Sequence, residues 1–302
     1  MNTRVTVAAY AAGWKLVRVL PERPVKALFE FGAARFARRG GPAPTRLAAN
    51  LRRVVGPDAD LDALTEQGLR SYARYWHEAF RLPDWSEEEI NRRFVLENVE
   101  VLDKAVAAGN GAIVALPHAA NWDLAGAWAT LHGIPVTTVA ERLKPEDLYQ
   151  RFLDFRRRLG MEILPLTGGT RHPLDVLTER AREGRVVVLL ADRDLSSRGI
   201  EVEFFGETTK MPAGPAILAL RTGAPLFGLK AWNDGPMTRA RVIGPLEVLD
   251  DPDAARDPVQ IAAVTQRIAD ALAEGIAEHP VDWHMLQPLW LADLPARKKR
   301  TS

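Results

Sequence analysis

The sequence predicts an α/β fold in which a central, mostly parallel sheet is flanked by helices and preceded by a helical N-terminal region. Up to about residue 92 the pattern is helical, with interruptions at three places that contain Pro or Gly. After residue 92, short β-branched or apolar runs alternate with helix-length segments, which is typical of βαβ units. We therefore expect one domain over residues 1–302, with helices in residues 1–92 and an α/β core in residues 93–290.

Each predicted element follows from the spacing of its apolar residues. We expect strands at residues 94–96, 112–116, 135–140, 163–166, 186–191, 225–232 and 239–243. Between them we expect helices at residues 99–108, 121–132, 146–159, 173–182, 213–221 and 258–278. In the N-terminal region, residues 58–80 are predicted to form one long helix, and Ser86 followed by Glu89 has the spacing of a capping box.

Composition excludes several classes of function. Of the 302 residues, 47% are hydrophobic, which is enough for a continuous core. Lys and Arg number 40 against 39 acidic residues, so there is no global field for a polyanion and nucleic acid is not an expected partner. The chain has no cysteine, which excludes a thiol nucleophile, a disulfide and a thiolate metal site. Its histidines lack metal-ligand spacing, so no metal is expected.

The N-terminal residues suit a membrane surface. No apolar run reaches the roughly 18 residues of a spanning helix, and we expect no signal peptide. Residues 3–20 and 26–39 mix apolar or aromatic side chains with Lys and Arg, as in a helix that lies in a lipid interface. Two helices that pack on the core with basic outer faces would give the same pattern. The two interpretations are compatible.

The position of His118 in the predicted fold favours a catalytic role. It follows a predicted strand and precedes a predicted helix within GAIVALPHAANWDLAG, and ligands of open α/β sheets bind at the carboxyl ends of strands. Asn121 is an expected N-cap, which leaves His118 in the turn. Asp123 follows five positions after His118, so the two would point about 140° apart on a continuous helix. They can meet only because His118 is expected to lie outside the helix.

A histidine held by a carboxylate can act as a general base. The base then needs no enzyme nucleophile if the substrate supplies a hydroxyl. Other interpretations stay open. One is that Asp123 only stabilises a first helical turn, where the helix dipole favours an Asp. Residues 156–158 are typical of a solvated helix face, and residues 282–284 are either a late part of the site or packing residues. G-x-S-x-G, P-loop and dinucleotide motifs are absent from the sequence.

The run H-A-A-N-W-D resembles the H-x4-D motif of the glycerolipid and lysophospholipid acyltransferases, and the surrounding sequence is similar to the lipid A biosynthesis branch. Further matching blocks follow in order at residues 189–194, 199, 202–206 and 211–215. The resemblance implies a glycerol-3-phosphate acyltransferase-like fold. It also implies that His118 is the general base and that Asp123 orients it.

Within this family the third block departs from the usual pattern, because Arg193 replaces a customary Gln and acidic Glu201 and Glu203 replace more apolar residues. The chain thereby resembles most closely the members that acylate a mannose of a phosphatidylinositol mannoside. Their donor is an acyl-CoA, which is a co-substrate, so no cofactor is expected. The resemblance implies a palmitoyl-type acyl group and peripheral attachment, through the N-terminal helices, to the cytoplasmic face of the plasma membrane.

Several more residues are expected to bind substrate. Asp192, Arg193 and Asp194 end a core strand and should project into the same crevice as His118. Glu201 is expected to contact His118 or the sugar, unless it is a solvated surface residue. The remaining expectations are Asn121 near the oxyanion, Pro212 and Gly214 at a helix start that could accept a phosphate, and Arg171 in a Gly-rich turn that could do likewise.

The expected reaction is direct transfer without an acyl-enzyme, because Cys is absent and no Ser or Thr lies in the His118 turn. An apolar tunnel should lie beside the site to hold the acyl chain. One alternative is a lipid A type transferase that uses an acyl carrier protein donor or another glycolipid acceptor. An alternative of another class is a non-catalytic carrier of acyl lipids.

Overall fold

The structure of the chain is a computed structural model that describes residues 12–141, 146–194, 198–249 and 251–294. Its N-terminal region is helical, as predicted. The helices are α1 (described over residues 12–19), α2 (Glu22–Arg39), α3 (Pro42–Val55), α4 (Leu61–Arg81) and α5 (Glu87–Arg93). Ser86 accepts a hydrogen bond from the Glu89 amide, which confirms one half of the predicted capping box. Residues 3–11 of the predicted interfacial segment lie outside the described residues.

The α/β core confirms the predicted fold class. Its seven-stranded sheet has the order β1-β9-β8-β2-β5-β3-β4. The strands are β1 (Phe94–Glu97), β2 (Ala112–Leu116), β3 (Val136–Ala140), β4 (Glu162–Pro165), β5 (Val186–Leu190), β8 (Leu226–Asp234) and β9 (Met237–Leu246). Only the β8–β9 pair is antiparallel, so β1 and β9 run against the other five strands.

Helices cover both faces of this sheet, and all six predicted helices of the core are present. They are α6 (Glu100–Ala107), α7 (Trp122–Leu131), α8 (Glu146–Arg158), α9 (Pro173–Arg182), α10 (Gly214–Thr222) and α11 (Pro258–Glu278). Within the described part of the chain, no helix is both long and apolar enough to cross a bilayer.

A small hairpin was not predicted. Strands β6 (Ile200–Phe204) and β7 (Glu207–Met211) pair antiparallel in a separate two-stranded sheet. Val202 and Phe204 are buried while Glu201 and Glu203 are exposed, so only one face of β6 is apolar. Because acidic residues alternate with so short an apolar set, the segment lacks the continuous apolar run that marks the central strands.

The central strand β2 is buried on both faces, which explains its unbroken apolar sequence. Ile113 and Ala115 belong to the core layer that contains α10 and α11. Val114 and Leu116 belong to the opposite layer, which contains α7 and α8. The sheet therefore separates two apolar layers, and the second of them lies directly below the His118 turn.

The register of two neighbouring strands places the site. Leu116 at the end of β2 pairs in parallel with Leu190 at the end of β5. The ladder continues for one more hydrogen bond, from the Ala191 amide to the Leu116 carbonyl at 2.9 Å. His118 and Asp192 each follow two residues beyond this matched pair, so the sheet delivers the two side chains to the same point.

Candidate active site

His118 is bonded to Asp192. The two are joined by a 2.6 Å contact between His118 Nδ1 and Asp192 Oδ1, and the His118 amide donates to Asp192 Oδ2 at 2.9 Å. A carboxylate accepts hydrogen bonds, so Nδ1 carries the proton and Nε2 keeps its lone pair. About a quarter of the His118 side chain is exposed, whereas Asp192 is fully buried. Nε2 thus belongs to an accessible imidazole whose orientation is fixed by the hydrogen bond from Nδ1 to Asp192.

A buried tryptophan completes the support of this carboxylate. Trp283 Nε1 donates to Asp192 Oδ2 at 2.9 Å, and Trp283 is itself fully buried. Burial is the largest influence on Asp192 and by itself would raise the pKa of its carboxyl. The charge and hydrogen bonds of His118, together with the Trp283 donor, outweigh it and lower the pKa of Asp192 below its usual value. Asp192 is therefore a carboxylate at neutral pH.

Asp123 does not hold His118, which corrects the predicted pair. Its carboxylate accepts from Arg156 Nε at 2.6 Å and from the Tyr75 hydroxyl at 3.0 Å. Asp123 lies in the first turn of α7 and is buried against α4 and α8, while Asp192 occupies the Nδ1 side of the imidazole. The solvated face expected for residues 156–158 is wrong for Arg156, because its side chain is only 19% exposed and is bonded to the buried Asp123.

The turn that carries His118 is clamped from the C-terminal part of the chain. The amide of His284 donates to the His118 carbonyl at 2.7 Å, and the Ala120 amide donates to the Asp282 carbonyl at 2.9 Å. Ala120 has a φ of 49°, a conformation that costs free energy in a residue with a Cβ. Asn121 caps α7 by accepting from the Leu124 amide, as expected, and its amide nitrogen donates to Glu78. Both ends of the Asn121 side chain are thus engaged inside the protein.

An apolar groove lies beside Trp122, the neighbour of His118. It runs between α7 and the face of the sheet formed by β1, β2, β3, β5 and β8. Asp123, Arg156 and Trp122 stand at its polar end, and the Trp122 ring lies 5.7 Å from the His118 ring in an edge-on arrangement. Apolar residues line the remainder of the groove, among them Leu116, Ala129, Ile134, Val136, Val186, Val188 and Leu229.

A second cavity adjoins His118 between α4 and the residues that follow Trp283. Aromatic rings form much of its wall, and two histidines and Arg193 add polar groups. Its lining comprises Tyr72, Tyr75, Trp76, His118, Trp122, Arg193, His284 and residues 285–287. Trp122 lines both the groove and this cavity, and Tyr75 stacks on it at 4.1 Å. Two differently lined spaces therefore meet near the imidazole.

The other predicted site residues are placed as follows. Arg193 lines the cavity of His118, and the amide of Asp194 donates to the Lys210 carbonyl. Arg171 forms an exposed ion pair with Glu179. Glu201 is exposed and lies 3.5 Å from the Lys210 ammonium, so it is the solvated residue of the two readings. Gly214 is the first residue of α10, and Pro212 precedes its N-cap, Ala213.

Two roles were not predicted from the sequence: Asp192 as the partner of His118, and Trp283 as a hydrogen-bond donor to Asp192. The role of Asp192 could have been inferred from two apolar runs of equal length, residues 112–116 and 186–190, each of which is followed two residues later by a polar residue. The sequence allows residues 282–284 to be either part of the site or packing residues. Their contacts with His118 and Asp192 show that they are part of the site. No group of three or more His, Asp or Glu side chains in the described residues could hold a metal ion.

Fold and site together are those of an α/β enzyme with a carboxylate-held histidine between an apolar groove and an aromatic cavity. The chain belongs to the bacterial lipid A biosynthesis acyltransferase family, whose sequence profile matches residues 1–292. Proteins of two Mycobacterium tuberculosis strains, named phosphatidylinositol mannoside acyltransferase, are 50% identical over 295 residues, or 96% of this chain and 90% of theirs. One of the same name from Mycolicibacterium smegmatis is 48% identical over 301 residues, which cover 99% and 96%.

Proposed function

We propose that the protein transfers a palmitoyl-type acyl group from acyl-CoA to a mannose hydroxyl of a phosphatidylinositol mannoside. The observation that carries this proposal is the free Nε2 of His118, held in place through Nδ1 by Asp192 where the groove and the cavity meet. The names of the relatives support the acceptor. The experiment below has three alternative outcomes: the donor is an acyl carrier protein, the acceptor is another glycolipid, or the protein binds acyl lipids without turnover.

In this reaction His118 Nε2 takes the proton of the mannose hydroxyl while the hydroxyl oxygen attacks the thioester carbonyl. The new C–O bond forms, the C–S bond breaks, and the imidazolium returns its proton to the departing thiolate. The Asp192 carboxylate stabilises the imidazolium in the interval because it accepts from Nδ1. Asp123, which the resemblance assigns to orienting His118, instead fixes Arg156 and Tyr75 at the mouth of the groove.

Arg193 supplies a positive charge for the oxyanion that forms at the carbonyl. Its side chain lines the cavity that contains His118, and no hydrogen bond or ion pair of the described residues engages its guanidinium. No acyl-enzyme forms, since the His118 turn contains no Ser or Thr and the chain contains no Cys. Donor and acceptor are therefore bound together, one in the groove and the other in the aromatic cavity.

The groove suits an acyl chain, because each buried methylene contributes about 0.8 kcal/mol to binding. Its walls are apolar along the layer between α7 and the sheet. Among the described residues that line it, only Asp123 and Arg156 are charged, and they form an ion pair at its polar end. The acyl chain can therefore leave water almost completely while its thioester remains near His118.

Attachment to the membrane is proposed to run through α1 and α2, at the cytoplasmic face of the plasma membrane. Leu28 and Phe31 on α2 expose 66% and 67% of their surface, and Leu16, Val19 and Leu20 are exposed near the end of α1. On the inner side, Trp14 packs on Phe80 at 5.2 Å between ring centroids. The same helices therefore pack on the core and offer apolar side chains to lipid.

The test is a transfer assay with the purified full-length protein. Palmitoyl-CoA and palmitoyl-acyl carrier protein are each offered with phosphatidylinositol mannoside or with other glycolipids, and His118→Ala is the comparison. Transfer from acyl-CoA to the mannoside, lost in His118→Ala, is the expected result. Equal acyl binding by both proteins without turnover would identify a carrier. A mass increase of the protein incubated with donor alone would overturn direct transfer.

A further inference from the structure

We propose that a cleft between α1 and α8 binds the phosphate group of an anionic membrane phospholipid. The cleft is separate from the proposed active site, because it shares no lining residue with the apolar groove or with the aromatic cavity of His118. The inference names the lipid that the proposed membrane attachment recognises. It rests on that attachment but not on acyl transfer.

Four basic residues of the described chain line this cleft. Lys15 and Arg18 come from α1, and Arg151 and Arg158 come from α8. Arg151 and Arg158 are seven residues apart, which is about two helical turns, so both project from the same face of α8. Lys15 and Arg18 are three residues apart and therefore neighbours on α1. The cleft thus brings together positive charge from two helices that are distant in the sequence.

The acidic residues of the cleft leave most of this charge unpaired. Among the described residues that line it, Asp84 and Asp154 are acidic. Asp84 accepts two hydrogen bonds from Arg18, so this pair neutralises itself. Asp154 lies 3.9 Å from Arg157, a residue that does not line the cleft. Neither carboxylate is therefore paired with the other three cations.

Those three cations have the chemistry of an anion site. Lys15, Arg151 and Arg158 are exposed, and no hydrogen bond or ion pair within the described part of the chain engages them. Like charges that share a cleft repel each other, and an anion bound between them removes that repulsion. A phosphate suits this position because its oxygens accept charge-assisted hydrogen bonds from several Lys and Arg donors at once.

The location of the cleft favours a lipid phosphate over the phosphates of the acyl donor. Arg156, at the polar end of the apolar groove, comes two residues before Arg158 and points about 160° away from it on the helix. Helix α8 therefore stands between the groove and the cleft. An acyl-CoA with its thioester beside His118 would have to pass around this helix to place its phosphates in the cleft.

Apolar side chains next to the cleft suit the acyl chains of the same lipid. Val19 lines the cleft and is 67% exposed, and Leu16 on the same helix is 55% exposed. A phospholipid with its phosphate in the cleft can lay its chains over these residues. A lipid with a cationic head group would need a free carboxylate, and both carboxylates of the cleft already have partners. The arrangement thus selects anionic phospholipids.

The experiment is a calorimetric titration of the full-length protein with dihexanoyl phosphatidic acid, a phospholipid short enough to stay monomeric. The double variant Arg151→Gln and Arg158→Gln removes two cations of the cleft and leaves α1 unchanged. We expect it to weaken binding by about 10- to 100-fold, as the loss of hydrogen bonds to a charged group predicts. The matched control is Lys104→Gln with Arg256→Gln, which loses the same charge from exposed residues outside the cleft. Thermal melting checks each fold.

The same titrations are made with dihexanoyl phosphatidylcholine and with 3′,5′-ADP. A loss of phosphatidic acid binding in the cleft variant but not in the control supports the inference. Equal losses in both variants, no binding by the wild-type protein, or equal binding of the two phospholipids overturns it. If the cleft variant loses more affinity for 3′,5′-ADP than for phosphatidic acid, the cleft belongs to the donor and the inference is wrong.

The titrations contain neither donor nor membrane, so they separate this inference from the proposals on which it builds. A protein that binds phosphatidic acid as expected but does not sediment with vesicles keeps the phosphate site and loses the proposed attachment. One that binds phosphatidic acid but transfers no acyl group keeps the site and loses the proposed reaction.

Discussion

The carboxylates of Asp192 and Asp123 both lie near His118, and their different partners give them different roles. Asp192 contacts His118 and Trp283, so its charge acts on the imidazole. Asp123 contacts Arg156 and Tyr75, so its charge stabilises a structural ion pair at the polar end of the groove. A single residue type thus serves orientation at one position and assembly of the groove at the other.

The Asp192→Asn variant should separate the two tasks. An amide can donate to His118 Nδ1, which favours the tautomer that carries the proton on Nε2 and therefore cannot act as a base. A comparable change in a serine protease triad lowers kcat about 10⁴-fold, and we expect a fall of 10³- to 10⁴-fold here with KM little changed. Steady-state kinetics with palmitoyl-CoA measure it.

Asp123→Asn is the matched comparison for that prediction. It leaves the buried Arg156 without its anion, and loss of one partner of a buried pair typically costs about 3–5 kcal/mol of unfolding free energy. We therefore expect Asp123→Asn to lower the free energy of unfolding in urea by more than Asp192→Asn does. A greater fall in kcat for Asp123→Asn at equal folded fraction would show that the pairing in this structure is not the catalytic one.

At the scale of elements, α7 forms one wall of the apolar groove and limits the space inside it. Gly126 lies one turn below Asp123 on this helix, and a Cβ there would approach Met161 Sδ to 2.4 Å. Met161 lines the groove from the other side, and its sulfur belongs to a flexible side chain. Any residue larger than Gly therefore pushes the Met161 side chain, and the groove loses length without loss of the fold.

Gly126→Ala should shift the acyl-chain preference towards shorter donors. If room for two methylenes is lost, binding of the palmitoyl chain weakens by about 1.6 kcal/mol, or roughly tenfold, while an octanoyl chain is unaffected. The ratio of kcat/KM for palmitoyl-CoA to octanoyl-CoA measures this shift. Addition of Met161→Ala should restore the ratio, and Gly32→Ala, where a Cβ meets nothing within 4 Å, is the control. An unchanged ratio in Gly126→Ala would argue against acyl binding in this groove.

Helix α2 offers the sharpest test of membrane attachment. The double variant Leu28→Ser and Phe31→Ser removes the two most exposed of its large apolar side chains, and binding to anionic vesicles should weaken by at least tenfold. Val259→Ser is a matched control, because Val259 is 69% exposed on a different helix. Sedimentation with vesicles gives the partition coefficients. Equal weakening by both variants would show that the N-terminal helices are not the membrane face.

For the whole molecule, local patterns predict elements and the order of the sheet decides the site. The run from Ala112 to Leu116 identifies a buried strand, and the turn after it gives the position of His118. The partner of His118 depends on β5 being the neighbour of β2, although β3 comes earlier in the chain. Trp283 lies 91 residues beyond Asp192, and no local periodicity relates them. Contacts between distant segments are therefore the part that the sequence pattern leaves open.

A buried histidine makes the stability of the whole chain depend on pH. His77 on α4 is buried against Phe29, and its Nε2 has no hydrogen-bond partner in the described part of the chain. Burial is the main cause that lowers its pKa to about 4, with Arg81 and Arg93 acting in the same direction and Glu22 opposing them. Between pH 4 and about 6.5 the unfolded chain consequently binds more protons than the folded one, so the unfolding free energy falls as the pH decreases.

Replacement of this histidine by Leu should flatten that dependence. On going from pH 7 to pH 4.5, protonation of His77 in the unfolded state costs the wild-type protein roughly 2.5 kcal/mol of unfolding free energy. His77→Leu loses this contribution but keeps that of His284, which has the same sign because its pKa is lowered to about 3. Urea unfolding at both pH values gives the difference, with His172→Asn as the exposed control. If the wild-type protein and His77→Leu lose the same stability over this range, His77 is accessible to protons in the folded state and its burial between α2 and α4 is wrong.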